Sequence, residues 1–370
     1  MLILEVLFYS FVAVVIIQVL YYGVLFGSFS FSKHNKSTPK NNPVSVIICA
    51  KNEAENIKIF LPYILEQDYP DFEVVLINDS SYDDTLDLFE AFALKNNNVK
   101  IVNVRNNEAF WGNKKYALTL GIKAAKYNHL LFTDADCKPV SNQWIKEMSA
   151  HFNQKQTIVL GYGAYNKIKN SLLNKLIRFE TLLTATQYFS FAKIGIPFMG
   201  VGRNLAYHRD EFYQSNGFIK HMKIRSGDDD LFINQVATSK NTTFCYTKNS
   251  FTTSVPKTSF KNWFKQKRRH VSTAKHYKFS HQFLLATFYI SQVLFWILGV
   301  TLAITTFLWP FVLGLIIIRF IIQFLSLGFS AKKLNELDTI LLLPFLEILL
   351  IVFQFSIFIT NKISKPNYWK

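Results

Sequence analysis

The sequence predicts an α/β domain with a doubly wound, mostly parallel sheet, combined with transmembrane helices. Short apolar runs alternate with stretches of helical spacing in the middle of the chain, and long uncharged runs lie towards both ends. Of the 370 residues, 50% are hydrophobic and only 18% are charged, whereas a typical soluble domain has about 25% charged residues. This composition excludes a disordered chain, and the length allows one domain of about 250 residues beside a membrane part.

The first uncharged run, 6–32, has 27 residues and can span a bilayer, which needs about 20 helical residues. We predict a retained anchor over 1–32. A cleaved signal peptide is the alternative, but Glu5 precedes the run and no small-residue cleavage site is obvious. Basic residues follow, so the positive-inside rule places the next segment in the cytosol. They are Lys33, Lys36 and Lys40.

A second uncharged run, 282–318, is too long for one helix and contains Pro310. We predict that it contributes to two spans joined by a Trp309-Pro310 turn, and that a further span follows in the C-terminal part, 282–370. The three predicted spans are 283–307, 311–329 and 339–360.

Two ionisable residues, Arg319 and Glu347, lie within the predicted spans. A charge at this depth is costly, so such residues usually pair or line a site. We expect these two to pair with each other, and binding of an acidic lipid headgroup is the alternative.

Five apolar runs in the middle of the chain have the length and composition of strands buried on both faces. Helical stretches such as 113–126 separate them. This alternation predicts a parallel, doubly wound sheet, in which ligands bind beyond the carboxyl ends of the strands. The predicted strands are 44–49, 72–77, 99–104, 129–133 and 157–160.

Acidic residues follow three of these strands, with Glu53 after the first, Asp79 after the second, and Asp134 and Asp136 after the fourth. A helix cap is the alternative role for Asp79. Alternate residues leaving a strand point to the same side, so Asp134 and Asp136 can meet one hard cation, Mg²⁺ or Mn²⁺.

Over 43–280, about two-thirds of the chain, the sequence resembles a family 2 glycosyltransferase of the membrane-bound, inverting type. The resemblance implies a Rossmann-like GT-A catalytic domain, which we place at 33–256. It rests on seven segments in order: PVSVIICAKNEAENI (43–57), INDSSYDDT (77–85), WGNKKYALTLGIKAAK (111–126), LLFTDADCKP (130–139), GVGRNLAYHRD (200–210), SGDDDLFIN (226–234) and QKRRH (266–270).

The resemblance implies a site for a nucleotide-sugar. A cation beside lysines would stabilise the diphosphate as it leaves. A solvated helix face is the alternative for the two lysines. The implied donor-binding residues are Glu53 and Asp79 at the base and ribose, Lys114 or Lys115 at the nucleotide, and Asp134 and Asp136 at the metal-bound diphosphate.

The acidic cluster 228–230 resembles the Glu-Asp motif that supplies the general base in this family. If the family motif is aligned by its acidic pair, Asp229 corresponds to the base. If it is aligned by the following Leu231, Asp228 corresponds to the base. We favour Asp229. Three adjacent carboxylates repel one another, which can raise a pKa towards the working range. An acidic N-cap of the helix that follows is the alternative.

The segment 266–270 resembles the Gln-x-x-Arg-Trp signature of the family, with His270 in place of the tryptophan. The resemblance implies that Arg269 contacts the diphosphate and that Gln266 helps to close the acceptor side. Arg268 is a further predicted residue of the nucleotide-sugar site. Over 257–281 basic residues alternate with aromatic ones, which is typical of an amphipathic segment on an anionic leaflet. A nucleic-acid patch is the less favoured alternative, because a predicted span follows directly.

These features together predict an inverting, metal-dependent enzyme of the inner membrane, with its catalytic domain in the cytosol. It would move a sugar from a UDP- or GDP-sugar to a membrane-held acceptor, a lipid or lipid-linked glycan. The alternatives are a processive polysaccharide synthase, which the absence of tryptophan at position 270 disfavours, and a catalytically silent scaffold. Hydrolase motifs are absent from the sequence, and its three cysteines are too widely spaced for a structural zinc site.

Overall fold

The computed structural model describes residues 1–33, 40–105, 114–224 and 226–364. These form two compact units. The first takes in the described residues of Met1–His34, Ser171–Ile194 and Trp263–Pro366, and the second those of Asn35–Asn170 and Gly195–Asn262. Lys36 and the first three residues of the predicted motif at 111–126 lie outside the described residues.

The described residues form the following strands and α-helices. The strands are β1 (Val44–Ala50), β2 (Phe72–Asp79), β3 (Val99–Val104), β4 (His129–Asp134), β5 (Cys137–Pro139), β6 (Ile158–Leu160), β7 (Gly163–Tyr165), β8 (Leu205–His208), β9 (Thr242–Phe244) and β10 (Thr252–Ser254). The helices are α1 (Leu2–Val19), α2 (Gly27–Ser30), α3 (Ala54–Leu65), α4 (Thr85–Lys95), α5 (Lys114–Ala124), α6 (Trp144–Ser149), α7 (Leu172–Lys193), α8 (Arg209–Gln214), α9 (Asp230–Val236), α10 (Phe260–Val271), α11 (Phe279–Thr305), α12 (Trp309–Leu334) and α13 (Leu343–Ile363).

A seven-stranded sheet in the order β3-β2-β1-β4-β8-β6-β9 forms the centre of the second unit. It is parallel except for β8, which runs antiparallel to β4 and β6. This confirms the predicted α/β fold with a mostly parallel sheet. All five predicted strands are present, whereas β8 and β9 of this sheet were not predicted. A smaller sheet in the order β5-β10-β7 lies within the same unit.

The strands β1, β2 and β4 are apolar because the sheet is buried on both faces in its middle. Their side chains include Val46, Ile48, Val74, Leu76 and Leu131, all at most 1% exposed. The register places the ends of these strands at one edge of the sheet, since Cys49 pairs with Asp134 and Ala50 with Asn78. The acidic residues that follow the strands therefore start from the same edge.

The first unit contains four helices that are long and apolar enough to cross a membrane, Leu2–Ser30, Phe279–Thr305, Trp309–Leu334 and Leu337–Ile363. They correspond to the four predicted spans. The predicted turn between the second and third spans is wrong by a few residues. Pro310 lies in the first turn of α12, where its missing N–H costs no hydrogen bond. The chain turns instead at Thr306 and Leu308, with φ of 52° and 48°.

Arg319 and Glu347 form an ion pair, as their positions in the sequence predicted. Both side chains are almost fully buried, and the Arg319 Nη1 atom lies 3.0 Å from Glu347 Oε2. Gln18 of α1 accepts a hydrogen bond of 3.0 Å from Arg319, and Gln292 of α11 donates one of 2.9 Å to Glu347. A single polar network thus connects all four apolar helices.

Candidate active site

Lys114, the first residue of α5, lies between carboxylates of two distant segments. Its Nζ atom is 2.9 Å from Asp134 Oδ1 at the end of β4 and 3.1 Å from Asp228 Oδ2 just before α9. Burial lowers the pKa of Lys114, but the charges of Asp134 and Asp228 outweigh this and raise it above its ordinary value. The ammonium group therefore stays charged and holds the two acidic segments together.

Lys114 and its two carboxylate partners line one cavity of the second unit. Its polar wall includes Lys114, Asp134, Asp228 and Asp229. Apolar side chains of β1, β4, α5 and β8 line the rest, so the charged groups face a space of low polarity. Charges interact more strongly in such a space than in water. Glu53, Asp79 and Asp136 do not line this cavity.

Asp134, Asp136 and Cys137 offer ligand atoms that lie within 4.8 Å of one another. Burial and the neighbouring charge of Asp134 both raise the pKa of Asp136. A cation would remove this repulsion, and two carboxylates suit Mg²⁺ or Mn²⁺. The thiol of Cys137 suits softer ions. The residues present therefore fit a divalent cation, with Asp134 and Asp136 as the predicted ligands.

Asp229 is held in one orientation by the backbone. Its Oδ2 atom accepts a hydrogen bond of 2.6 Å from the N–H of Gly202, and its Oδ1 atom accepts one of 2.7 Å from the N–H of Asp230. A Cβ atom at Gly202 would lie 3.2 Å from Asp229 Oδ2, so glycine permits this close approach. Asp229 is also the N-cap residue of α9, the role that the sequence left as an alternative.

The two candidate bases differ in their affinity for protons. Burial, together with the charges of Asp228 and Asp230, raises the pKa of Asp229 to about 7. At Asp228 burial also raises the pKa, but the charge of Lys114 outweighs it, and the pKa is lowered. A general base needs a pKa near the working pH, so the electrostatics favour Asp229 over Asp228.

Asp79, the last residue of β2, is only 3% exposed. Its Oδ2 atom is buried and accepts no hydrogen bond from the described residues. Burial raises the pKa of Asp79, while the charges of Lys51 and Lys114 lower it. A buried carboxylate oxygen without a donor is costly, and it is an atom to which a ligand N–H or O–H could donate.

Glu53, at the start of α3, is largely buried beside the segment that follows β2. Its backbone N–H donates a hydrogen bond of 2.9 Å to Thr85 Oγ1, and its Oε2 atom accepts one of 2.6 Å from Asn56. The local structure therefore fixes Glu53 at the same edge of the sheet as Asp79.

Lys115 does not face the cavity, although it is adjacent to Lys114 in the sequence. Its side chain is fully buried, and its Nζ atom donates to the backbone carbonyls of His221, Ile224 and Ser226 at 2.9, 2.6 and 2.7 Å. Burial lowers its pKa to about 8. Lys115 thus stabilises the segment that leads to the acidic cluster, whereas Lys114 faces the cluster.

Arg203 is a candidate site residue that sequence reasoning missed. Its guanidinium lies 4.2 Å from the ring centre of Tyr165 and donates to Ala164 O and Ser254 Oγ at 3.1 and 2.9 Å. The charge of Arg203 lowers the pKa of Asp136. The signal was present in the segment GVGRN at 200–204, which contains both Gly202 and Arg203, but nothing in the sequence assigned the arginine a partner.

The residues of the predicted 266–270 signature belong to α10 and to the first unit. Arg268 is engaged at the end of α13, where it donates to Asn361 Oδ1 at 2.8 Å and to Ser364 Oγ at 2.9 Å. These contacts give Arg268 a structural role that differs from the predicted contact with the nucleotide. Gln266 and Arg269 lie on the same helix and are partly buried.

The fold and the cavity define the class of protein. A parallel α/β sheet carries acidic residues at its carboxyl edge, and these could bind a cation and the phosphates of a nucleotide. The model of glycosyl transferase family 2 matches residues 45–215. The match agrees with the resemblance to family 2 glycosyltransferases that the sequence segments within this region predicted.

Comparison with known proteins supports the same fold. A solved mannosyltransferase from Pyrobaculum calidifontis, in complex with GDP-Man and Mn²⁺, is similar over 90% of this chain and 99% of its own, with a TM-score of 0.60 and 17% identity. At this identity the likeness concerns the fold, and it confirms the GT-A architecture.

Curated relatives match shorter regions. A poly-β-1,6-N-acetyl-D-glucosamine synthase from Staphylococcus epidermidis is 34% identical over 93 residues, which are 25% of this chain and 21% of the relative. A cholesterol galactosyltransferase from Borreliella burgdorferi is 32% identical over 93 residues, 25% of each chain. The matches thus span about a fifth to a quarter of these relatives.

Proposed function

We propose that this protein transfers a sugar, with inversion and with the help of a divalent cation, from a UDP- or GDP-sugar to a membrane-held acceptor. The observation that carries the proposal is the convergence of Lys114, Asp134 and Asp228–Asp229 on one cavity in a family 2 domain. Phosphate-binding and base groups are thereby available within a single site.

In this proposal the donor binds along the carboxyl edge of the sheet. Asp79 accepts a hydrogen bond from the ribose or base through its unpaired Oδ2 atom, and Glu53 helps to position the same part of the nucleotide. Asp134 and Asp136 would hold Mg²⁺ or Mn²⁺, which would supply positive charge to the diphosphate. Lys114 contacts the diphosphate, whereas Lys115 donates to the backbone carbonyls of the segment before the acidic cluster.

Asp229 acts as the general base. The oxygen of the acceptor hydroxyl forms a bond to the anomeric carbon while the bond from that carbon to the diphosphate breaks, and the bonding pair leaves with the diphosphate. The hydroxyl proton passes to Asp229, whose pKa of about 7 allows it to accept this proton near neutral pH. Because attack and departure occur on opposite faces of the sugar, the configuration inverts.

The acceptor is proposed to be a lipid or a lipid-linked glycan. Among the described residues, four helices are long and apolar enough to cross a membrane, and the basic helix α10 precedes the second of them in the sequence. Such a segment binds anionic lipid surfaces. We place the enzyme in the inner membrane as a multi-pass protein, with its catalytic domain in the cytoplasm. Gln266 would help to close the acceptor side, and Arg269 would contact the diphosphate.

A processive polysaccharide synthase is the second candidate, favoured by the similarity to a poly-N-acetylglucosamine synthase. His270 argues against it, because a tryptophan at this position would stack on a growing chain. A catalytically silent scaffold would not need the carboxylates that converge at Lys114.

The test uses the purified full-length protein in lipid nanodiscs with Mn²⁺, a panel of UDP- and GDP-sugars and a lipid extract, read by mass spectrometry. Release of UDP or GDP with addition of one sugar to a lipid supports the proposal, and a ladder of products supports the synthase. No nucleotide release from any donor, by protein that still binds Mn²⁺ and nucleotide, would favour the scaffold.

A further inference from the structure

The position of Lys114 has a consequence for how strongly a cation binds with and without a nucleotide. Its Nζ atom lies 2.9 Å from Asp134 Oδ1, an oxygen that the proposed function assigns to a divalent cation. The second contact, 3.1 Å to Asp228 Oδ2, holds the same ammonium group at the edge of the acidic cluster. The lysine and the cation therefore compete for one carboxylate.

The competition is electrostatic. A divalent ion bound by Asp134 would share with the ammonium group a carboxylate whose Oδ1 atom lies 2.9 Å from Lys114 Nζ, and like charges at such short range repel appreciably even in water. The Lys114 side chain is only 19% exposed, so water screens the repulsion poorly. The positive charge of Lys114 therefore weakens the binding of a cation without nucleotide.

When a diphosphate is bound as well, Lys114 favours binding of the cation and no longer opposes it. It brings negative oxygens that accept hydrogen bonds from the lysine and ligate the cation at the same time. Lys114 can then turn from Asp134 towards the phosphates while it keeps the contact with Asp228. The same charge that opposes the bare ion now stabilises the complex.

We propose that Lys114 makes the site selective for a cation–nucleoside diphosphate complex and against the free cation. This inference rests on the proposed function, because it takes Asp134 and Asp136 as the metal ligands. It adds that metal and nucleotide bind cooperatively, and that Lys114 is the residue that couples them.

The experiment measures Mn²⁺ binding by electron paramagnetic resonance on the full-length protein in nanodiscs, with and without UDP or GDP. The variants are Lys114→Gln, Lys114→Ala and Lys114→Arg. Lys123→Met is the matched control, since Lys123 lies on the same helix α5 and is exposed. Thermal unfolding of each variant checks that the fold is retained.

We expect removal of the charge, in Lys114→Gln and Lys114→Ala, to tighten binding of Mn²⁺ alone by about tenfold. The factor by which nucleotide tightens Mn²⁺ binding should fall by about tenfold in the same variants. Lys114→Arg keeps the charge and should bind Mn²⁺ alone about as weakly as the parent, as should Lys123→Met.

Equal or weaker binding of Mn²⁺ alone in both neutral variants would overturn the inference, as would undiminished coupling to nucleotide. The comparison of variants requires a parent protein that binds nucleotide in a Mn²⁺-dependent manner. A parent protein that binds neither Mn²⁺ nor nucleotide would instead refute the proposed function.

Discussion

The pKa of Asp229 predicts how the transfer rate depends on pH. Burial and the charges of Asp228 and Asp230 raise this pKa to about 7, and a general base acts only in its deprotonated form. A carboxyl group with this pKa is deprotonated in about 9% of molecules at pH 6 and about 91% at pH 8. We therefore expect kcat/KM for the donor to rise about tenfold between these pH values and then level off.

The Asp230→Asn variant tests the electrostatic cause. Asp230 is one of the charges that raise the pKa of Asp229, and its Oδ1 atom accepts a hydrogen bond of 2.8 Å from the N–H of Leu231, which asparagine can also accept. Removing the charge should lower the pKa of Asp229, so the midpoint of the profile moves below 7. The rate at pH 6 should rise several-fold, with the plateau unchanged.

The assay is nucleotide release at saturating Mn²⁺ between pH 5 and 9, in the parent, Asp230→Asn and the control Asp210→Asn. Asp210 is exposed and lies 3.4 Å from His208. Asp229→Asn should lose about 10²–10⁴ in rate at every pH. An unchanged midpoint in Asp230→Asn, or a shift to higher pH, would refute the assignment of Asp229 as the base.

Three further predictions concern the cation and the membrane helices. Asp136→Asn should weaken Mn²⁺ binding and lower turnover by at least about 100-fold, and equal turnover would contradict its role as a ligand. Arg268→Ala should reduce the free energy of unfolding by about 1–3 kcal/mol through the lost contacts at the end of α13. The Kd for the donor should stay unchanged, and a higher Kd would support the predicted contact between Arg268 and the nucleotide. Glu347→Gln leaves the buried charge of Arg319 unpaired and should cost about 3–5 kcal/mol in thermal unfolding, whereas a stable variant would show that the ion pair is dispensable.

The sheet could be predicted because its central strands are buried on both faces. Continuous apolar runs such as 44–49 and 72–77 arise from this burial, and the acidic residues after them could be placed by topology alone. The strand β8 was missed because it has only four residues, Leu205–His208, and two of its neighbours in space lie far away in sequence.

Which lysine faces the cavity could not be predicted. Successive residues of a helix point about 100° apart, so Lys114 and Lys115 point in different directions, and only Lys114 lines the cavity. The choice depends on how α5 is rotated against the sheet, and this rotation is set by packing such as that of Gly121, where a Cβ atom would lie 2.1 Å from Ile77 Cδ1. Such packing is not visible in the spacing of charges.

The helix α10 shows a different limit of sequence reasoning. Its aromatic residues were interpreted as a face that lies on lipid, yet Trp263 is fully buried and stacks on Phe353 of α13 at 3.8 Å between ring centres. Lys267 likewise pairs with Glu180 of α7 at 2.6 Å. Amphipathic spacing identifies an apolar face but not what covers it. Since protein covers this part of α10, substitutions at Phe353 should affect the position of Gln266 and Arg269, although they are almost 90 residues away in sequence.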